Sequence, residues 1–175
     1  MRGVSRGRLA FWVLALNGCL FAASCGGNST TSTETTAAKQ RVTITASIGL
    51  DGTAVLAPQR DGALERDSGT FVLFDSRSLT PDRTVMRNGQ KVDIHTAVWT
   101  FTGKHGTLAL RERSEWVDVG NDADGDGRND GVAIGTWKAV LGTGDYAGIK
   151  GDGRSAHEGL GLRWYARFEG FLTVP

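Results

Sequence analysis

The sequence predicts an all-β fold, a small antiparallel barrel of eight strands that follows an N-terminal segment of different composition. Glycine is frequent, with 25 residues, whereas proline occurs three times, which is typical of a chain with many tight turns. Short runs of alternating apolar and polar residues succeed one another from residue 41 to residue 174. No window of eleven or more residues carries an apolar stripe with helical spacing. Many short strands without helices favour a barrel, because a closed sheet has no free edges.

The eight predicted strands are joined by short turns. The first alternates cleanly, with Val42, Ile44 and Ile48 on one face. The sequence GKHG at residues 103–106 predicts the turn of a hairpin. The runs that read as strands are residues 41–48, 53–57, 70–74, 91–102, 107–119, 132–141, 146–150 and 159–174.

Two of these strands change the face that carries their apolar residues. In residues 91–102, Val92 and Ile94 share one face, whereas Trp99 and Phe101 share the other. Residues 107–119 change face in the same way after Leu110. Such a change requires a bulge, a bend or a strand that is covered on both faces. We therefore expect long bent strands, which are typical of barrels.

The first 24 residues resemble an export signal. Three arginines lie within the first eight residues, and the apolar run at residues 9–21 is too short to span a bilayer. Small residues then precede Cys25, which is typical of a bacterial lipoprotein signal whose cysteine becomes lipidated. Ala22 and Ser24 also fit an ordinary cleavage site, which leaves a secreted protein as the alternative.

Residues 25–40 are predicted to be a disordered linker after the lipidated cysteine. The segment is rich in Ser, Thr and Gly and has no aromatic residue, so it cannot bury enough apolar surface to fold. A spacer of this kind suits a domain tethered to the outer face of a membrane in the bacterial cell envelope. The barrel domain is then predicted to be residues 41–175.

Charge and cysteine content exclude several classes of function. The first 24 residues carry three of the 20 basic side chains and no acidic one, so the remainder has a formal charge of −2. That remainder lacks the basic surface expected of a nucleic-acid-binding protein. Both cysteines, Cys19 and Cys25, precede the predicted domain, which excludes a disulfide or a cysteine-based zinc site within it.

An acidic loop predicts a structural calcium site. Residues 121–131 read NDADGDGRNDG, and alternate residues of a tightly wound loop can direct their carboxylates to one centre. Four close carboxylates repel one another unless a cation neutralises them. Ala133 stands where an EF-hand has its bidentate Glu, so we expect a calcium-stapled hairpin of modest affinity; the alternative is a solvated turn. The predicted ligands are Asp122, Asp124, Asp126 and Asp130.

Aromatic and histidine residues indicate where a ligand site would lie. Trp99, Trp137 and Trp164 are candidates to line an apolar pocket, although plain core packing explains them as well. An acid–base pair inside the barrel is conceivable between His95 and either Glu112 or Glu115. An ordinary hydrogen-bonded histidine is the simpler interpretation, so no catalytic residue is assigned.

The second half of the sequence resembles the allene oxide cyclase and dirigent barrels. The resemblance covers roughly residues 91–175 and depends on residues 135–140 (GTWKAV), 142–153 (GTGDYAGIKGDG) and 165–171 (YARFEGF). It implies an eight-stranded barrel with an internal cavity for a small apolar ligand. It carries over no reaction, and the acidic loop is an insertion relative to that family.

Three functions are compatible with these observations. The first is a membrane-tethered lipoprotein whose calcium-stabilised barrel binds a small apolar ligand or a cell-envelope partner. The second is a cyclase- or isomerase-like enzyme acting on a small apolar substrate. The third is a rigid display unit with a structural or adhesive role. The first two require room for a ligand inside the barrel.

Overall fold

The structure is a computed structural model that describes residues 37–48, 52–73, 80–120, 122, 125, 130–160 and 163–175. These residues form nine strands and one short 3₁₀ turn, Gly144–Tyr146, so the all-β prediction is confirmed. No helix in this part of the chain is long and apolar enough to cross a membrane. The strands are β1 (Ala38–Ile48), β2 (Thr53–Pro58), β3 (Asp67–Leu73), β4 (Arg83–Arg87), β5 (Gln90–Gly103), β6 (Gly106–Asp118), β7 (Gly131–Gly142), β8 (Lys150–Leu160) and β9 (Arg163–Val174).

All nine strands belong to one antiparallel sheet that closes into a ring, which confirms the predicted barrel. The order is β3-β2-β1-β9-β8-β7-β6-β5-β4, and an additional pairing joins β3 to β5. Eight strands therefore complete the ring. The ninth, β4, pairs with Gln90 to Ile94 of β5, while β3 pairs with Trp99 to Gly103 further along the same strand.

The eight strands of the ring are not the eight predicted from the sequence. Residues 146–150 were predicted as a strand, but Tyr146 ends the 3₁₀ turn and β8 begins at Lys150. The predicted strand 159–174 is in fact the end of β8 followed by all of β9. Strand β8 lacks an apolar alternation because glycine occupies several of its positions, where the backbone of β9 approaches closely. A Cβ at Gly153, for example, would lie 2.0 Å from the carbonyl oxygen of Glu169.

The change of face in β5 arises because this strand is covered on both sides. The register between β5 and β6 runs from Val92 to Gly103 without a shift, so no bulge interrupts the alternation. Val92 and Ile94 are buried on the face opposite to the barrel core, and Val92 pairs with Val117 there. Val119 lies beyond the end of β6 and is half exposed.

Aromatic side chains fill much of the barrel interior. Phe71 stacks on Trp99 with 5.5 Å between ring centroids, and Phe168 packs against Phe71 at 5.1 Å. Nearer the β5–β6 hairpin, the rings of Phe101 and Tyr146 meet edge to face at 6.1 Å. Burial of each such side chain contributes about 1.5–3 kcal/mol, so this core supplies a large part of the stability of the barrel.

Two buried polar side chains fasten loops to the barrel. The carboxylate of Asp67 accepts hydrogen bonds from the amides of Ser68, Lys104 and His105 and from the hydroxyl of Tyr146. Burial raises the pKa of Asp67, but the four hydrogen bonds outweigh it and leave that pKa below the ordinary value. Burial, reinforced by the Asp67 carboxylate, raises the pKa of Tyr146. In the same manner, the side-chain amide of Gln40 bonds both the N–H and the C=O of Leu64.

Candidate functional site

A buried polar cluster lies in the interior of the barrel. Glu112 on β6 is only 1% exposed, and its Oε1 lies 2.6 Å from Nε2 of His157 on β8. The hydroxyl of Ser155 donates to the same carboxylate oxygen. The indole N–H of Trp99 donates to Oε2 over 2.7 Å. Both carboxylate oxygens are therefore satisfied, which is the condition under which a charge can be buried.

The alternation of the strands and one glycine place these groups together. Leu108, Leu110 and Glu112 point inward from successive positions of β6, and Ser155 and His157 do the same on β8. Strand β7 lies between them, and Gly135 leaves the space that the carboxylate occupies. A Cβ at Gly135 would lie 2.9 Å from Oε1 of Glu112 and 2.7 Å from Oγ of Ser155.

His157 has one satisfied and one unsatisfied ring nitrogen. Its Nε2 faces Glu112, whereas its buried Nδ1 has no hydrogen-bond partner in the described part of the chain. A neutral imidazole that donates from Nε2 to Glu112 carries its lone pair on Nδ1. The side chain of His157 is 2% exposed, so this acceptor is enclosed by protein. An unsatisfied buried acceptor costs about 1–3 kcal/mol, and a ligand that donates to Nδ1 would remove that cost.

The surroundings of His157 are aromatic on one side and small on the other. The imidazole stacks on Trp99 at 5.7 Å and meets the edge of Phe168 at 5.3 Å. Across the sheet, His157 pairs with Ala133 and Ala166, whose small side chains take little of the interior at this level. The same row continues through Ala46 and Ala54.

Two tryptophans lie close to His157 in the register of the sheet. Trp116 pairs with Ala133, the residue that also pairs with His157, and Trp164 lies one inward position beyond Ala166. Trp116 and Trp164 stack with 4.9 Å between their ring centroids, and Trp164 pairs with Gly159 near the end of β8. The Trp116 ring packs closely against two glycines, because a Cβ at Gly131 or Gly159 would come within 1.9 or 2.6 Å of it. Both rings are partly exposed, whereas Trp99 of the buried cluster is not.

The three tryptophans predicted to line one pocket lie at different places. Trp99 belongs to the buried cluster, and Trp164 belongs to the stack with Trp116. Trp137 is fully buried, and its indole N–H donates to the backbone carbonyl of Arg154. Trp99 is therefore the one that touches the buried polar groups.

The hypothesis of an internal histidine–glutamate pair identified the right glutamate and a different histidine. His95 lies directly opposite Ser114, not Glu112, and Glu115 forms an ion pair with Arg87 on the outside of the sheet. The partner of Glu112 is His157. Sequence reasoning missed it because β8 was not recognised as a strand; once it is, residues 155 and 157 alternate with exposed ones and predict an inward histidine.

The predicted calcium and lipid sites fall largely outside the described residues. Asp124, Asp126 and Cys25 are not among them, so the structure does not place their side chains. Asp122 is exposed, and Asp130 is buried directly before β7. Among the described residues, no group of three or more His, Cys, Asp or Glu side chains is arranged to hold a metal ion. The calcium site and the lipidation remain predictions.

Two open grooves cross the outside of the barrel. One, of about 580 Å³, crosses β2, β1, β9 and β8 beside Thr45 and Tyr165. The other, of about 550 Å³, crosses β6 to β9 beside Arg113 and Arg154. Glu112 lines neither of them, but His157 is among the residues that line the first groove and Ser155 among those that line the second, so both grooves border the strand positions that carry the buried cluster.

The chain matches no protein-family model, no curated protein and no solved structure. The resemblance to the allene oxide cyclase and dirigent barrels therefore remains a prediction. The barrel itself is established by the strand pairings of this structure.

Proposed function

We propose that this protein is an exported, membrane-tethered barrel that binds a small, largely apolar molecule in its interior. The observation that carries the proposal is the unsatisfied Nδ1 of His157, enclosed in the barrel and aligned by Glu112. The proposed ligand site lies beside this nitrogen, next to the alanines that pair with His157, and is reached past the Trp116–Trp164 stack. A ligand enters by displacement of that partly exposed stack.

The site favours an aromatic or aliphatic molecule with a single hydrogen-bond donor. Trp99 stacks on the imidazole and Phe168 meets it edge to face, so the surroundings of His157 are apolar. The lone pair on Nδ1 accepts one hydrogen bond, and in an enclosed apolar site that bond discriminates strongly between ligands with and without a donor. A phenol or a small alcohol has this chemistry.

The experiment compares 4-ethylphenol with ethylbenzene, which has the same shape without the hydroxyl. Isothermal titration calorimetry on the folded protein is expected to show at least tenfold tighter binding of the phenol. His157→Phe keeps an aromatic ring at the position and removes the acceptor, so it abolishes the preference. His105→Ala, which alters a histidine outside the cluster, leaves it unchanged. Equal affinities in the original protein, or no binding of either molecule at millimolar concentration, would overturn the proposal.

Membrane attachment through Cys25 is the second part of the proposal. The export signal, the cysteine and the Ser/Thr-rich segment before β1 support it. The test expresses the full chain and separates membrane from soluble protein, with Cys25→Ser as the variant. The original chain is expected in the membrane fraction, and the variant in the soluble fraction; equal distributions would favour a secreted protein.

A calcium ion in the acidic loop is the third part. The acidic segment lies between β6 and β7, and Asp118 pairs with Gly131 where the two strands flank it. A backbone hydrogen bond from the amide of Val119 to the carbonyl of Asp130 tightens the same junction. A cation there neutralises the repulsion between the carboxylates and stabilises the hairpin.

A further inference from the structure

We infer that His157 is a general base that moves a proton on the molecule bound inside the barrel, with Glu112 as its positioning residue. The inference rests on the proposed binding site and adds a reaction to it. The substrate class is a small apolar carbonyl compound with a hydrogen on the carbon beside the carbonyl group. The reaction is a proton transfer that exchanges or relocates that hydrogen.

The geometry around the imidazole is that of a base held in one tautomer. In the proposed tautomer, Nε2 carries the proton and donates to Oε1 of Glu112 over 2.6 Å, which leaves the lone pair on Nδ1, the ring nitrogen without a hydrogen-bond partner among the described residues. Ser155 and Trp99 in turn hold the two oxygens of Glu112. A carboxylate with this support orients the imidazole and stabilises the imidazolium that forms when Nδ1 takes a proton.

The proposed step needs no co-reactant. Nδ1 of His157 takes the proton from the carbon beside the carbonyl group, and the electron pair of the broken C–H bond moves into the substrate to give an enolate. Glu112 stabilises the imidazolium for as long as the imidazolium and the enolate are both present. If the imidazolium first exchanges this proton with water and then protonates the same carbon, the result is hydrogen exchange; if it protonates a conjugated carbon, the double bond moves.

The groups that face His157 make a single acid–base pair. The titratable group that contacts His157 from β6 is Glu112. From β5, His157 is contacted by Trp99, which does not titrate. From β7 and β9 it faces Ala133, Ala166 and Phe168, which do not titrate. Ser114, buried on the inward face of β6, adds a hydroxyl to the same layer. Glu112 is therefore the carboxylate through which a positioning effect on His157 would act.

The experiment follows deuterium uptake at the α-carbon of 2-tetralone in D₂O by proton NMR, with the folded protein as catalyst. The original protein is expected to accelerate uptake at least a hundredfold over His157→Phe, which is the usual range for a positioned base. Glu112→Gln is expected to lower the rate at least tenfold and to displace the pH profile, because the imidazolium loses its counter-charge. His157→Ala with added imidazole tests for recovery, and His105→Ala is the matched control.

The outcomes separate the reaction from the binding site. If 4-ethylphenol binds but uptake is the same in the original protein and in both His157 variants, the general-base role is overturned and the binding site stands. If neither 4-ethylphenol nor 2-tetralone binds, both proposals fall. A Glu112→Gln variant with an unchanged rate and pH profile would overturn the positioning role. Circular dichroism identifies any variant that has not folded, and His157→Ala then replaces His157→Phe.

Discussion

At the scale of single residues, the buried cluster depends on one missing side chain. Gly135→Ala would bring a Cβ within 2.7 Å of the carbonyl oxygen of Arg113 and 2.9 Å from the carboxylate of Glu112. The cluster and the backbone must then shift, and we expect a loss of about 1–3 kcal/mol in the free energy of unfolding, measured by urea denaturation. Thr136→Ala, the exposed neighbour on β7, is the control and stays within about 0.5 kcal/mol. Equal stabilities of the two variants would mean that the carboxylate has more room than the structure shows.

Asp67 makes part of the stability depend on pH. Its pKa lies below the ordinary 3.8, so its contribution is fully present above about pH 4 and disappears as the pH falls through the lower folded value. Asp67→Asn replaces an oxygen that accepts hydrogen bonds with an NH₂ group that faces other donors. We therefore expect it to lower the free energy of unfolding by about 1–3 kcal/mol at pH 7. Urea denaturation between pH 7 and pH 2 should show the variant losing less on acidification. The exposed Asp152→Asn is the control, and a variant with the same acid dependence as the original protein would contradict the prediction.

Residue-level prediction from the sequence succeeded where a residue lies on a recognised strand. Glu112 was a candidate for the interior because β6 was recognised, and it is buried there. His157 was assigned to a turn-rich stretch because Gly153 and Gly159 flank it. Those glycines allow the backbone of β9 or the ring of Trp116 to approach β8 closely. Contacts of this kind between distant segments leave no periodic signal in a single sequence.

At the scale of elements, the loop between β2 and β3 depends on a residue from β1. The side-chain Nε2 of Gln40 donates hydrogen bonds to the backbone carbonyls of Arg60 and Leu64, and its Oε1 accepts a hydrogen bond from the amide of Leu64 over 2.9 Å. Gln40→Ala leaves these buried groups unsatisfied, so we expect faster hydrogen exchange at Leu64 and a loss of about 1–3 kcal/mol. Gln59→Ala removes an exposed side-chain amide that reaches Thr43 and should change neither quantity. Unchanged exchange at Leu64 in Gln40→Ala would show that the loop is held by other contacts.

Strand prediction failed in the two elements that lack an apolar face. Strand β4 has one partly buried residue, Val85, between exposed ones, and it pairs with a single strand, β5. Strand β8 is interrupted by glycines. The strands with clear alternation, β1 and β9 among them, were found with their ends within a few residues, although β1 begins at Ala38 rather than at residue 41. Burial of alternate residues is the signal that the sequence carries, and these two strands have little of it.

At the scale of the whole molecule, calcium is expected to raise the stability of the barrel. With a Kd of about 10⁻⁴–10⁻³ M, 10 mM Ca²⁺ adds about 1.4–2.7 kcal/mol to the free energy of unfolding. Thermal melts of the full chain with Ca²⁺ and with EDTA measure the effect. Asp124→Ala with Asp126→Ala should abolish it, whereas Asp61→Ala with Asp152→Ala, which removes the same charge elsewhere, should preserve it. Identical melts with Ca²⁺ and EDTA would reduce the acidic loop to a solvated turn.

The fold class could be predicted because it depends on the whole pattern rather than on each strand. Short alternating runs, frequent glycine and the absence of helical stripes predict a barrel even when two strands are misplaced. The site could not be predicted to the same extent, because its residues lie on β5, β6 and β8, and β8 was not recognised as a strand. The predicted pocket tryptophans show the same limit, since Trp99 and Trp137 are both buried and have different partners.

The pairing of β1 with β9 also sets the order in which the molecule can form. The two strands join over eleven residue pairs, from Ala38 with Val174 to Ile48 with Trp164. A chain that emerges amino-terminus first holds β1 without this partner until its last strand has followed, so ring closure is a late event. Pairings so distant in sequence give a high contact order, for which folding times of milliseconds to seconds are usual. Until then β1 presents an unpaired edge, and that interval is when the chain is most exposed to aggregation or to capture by a chaperone.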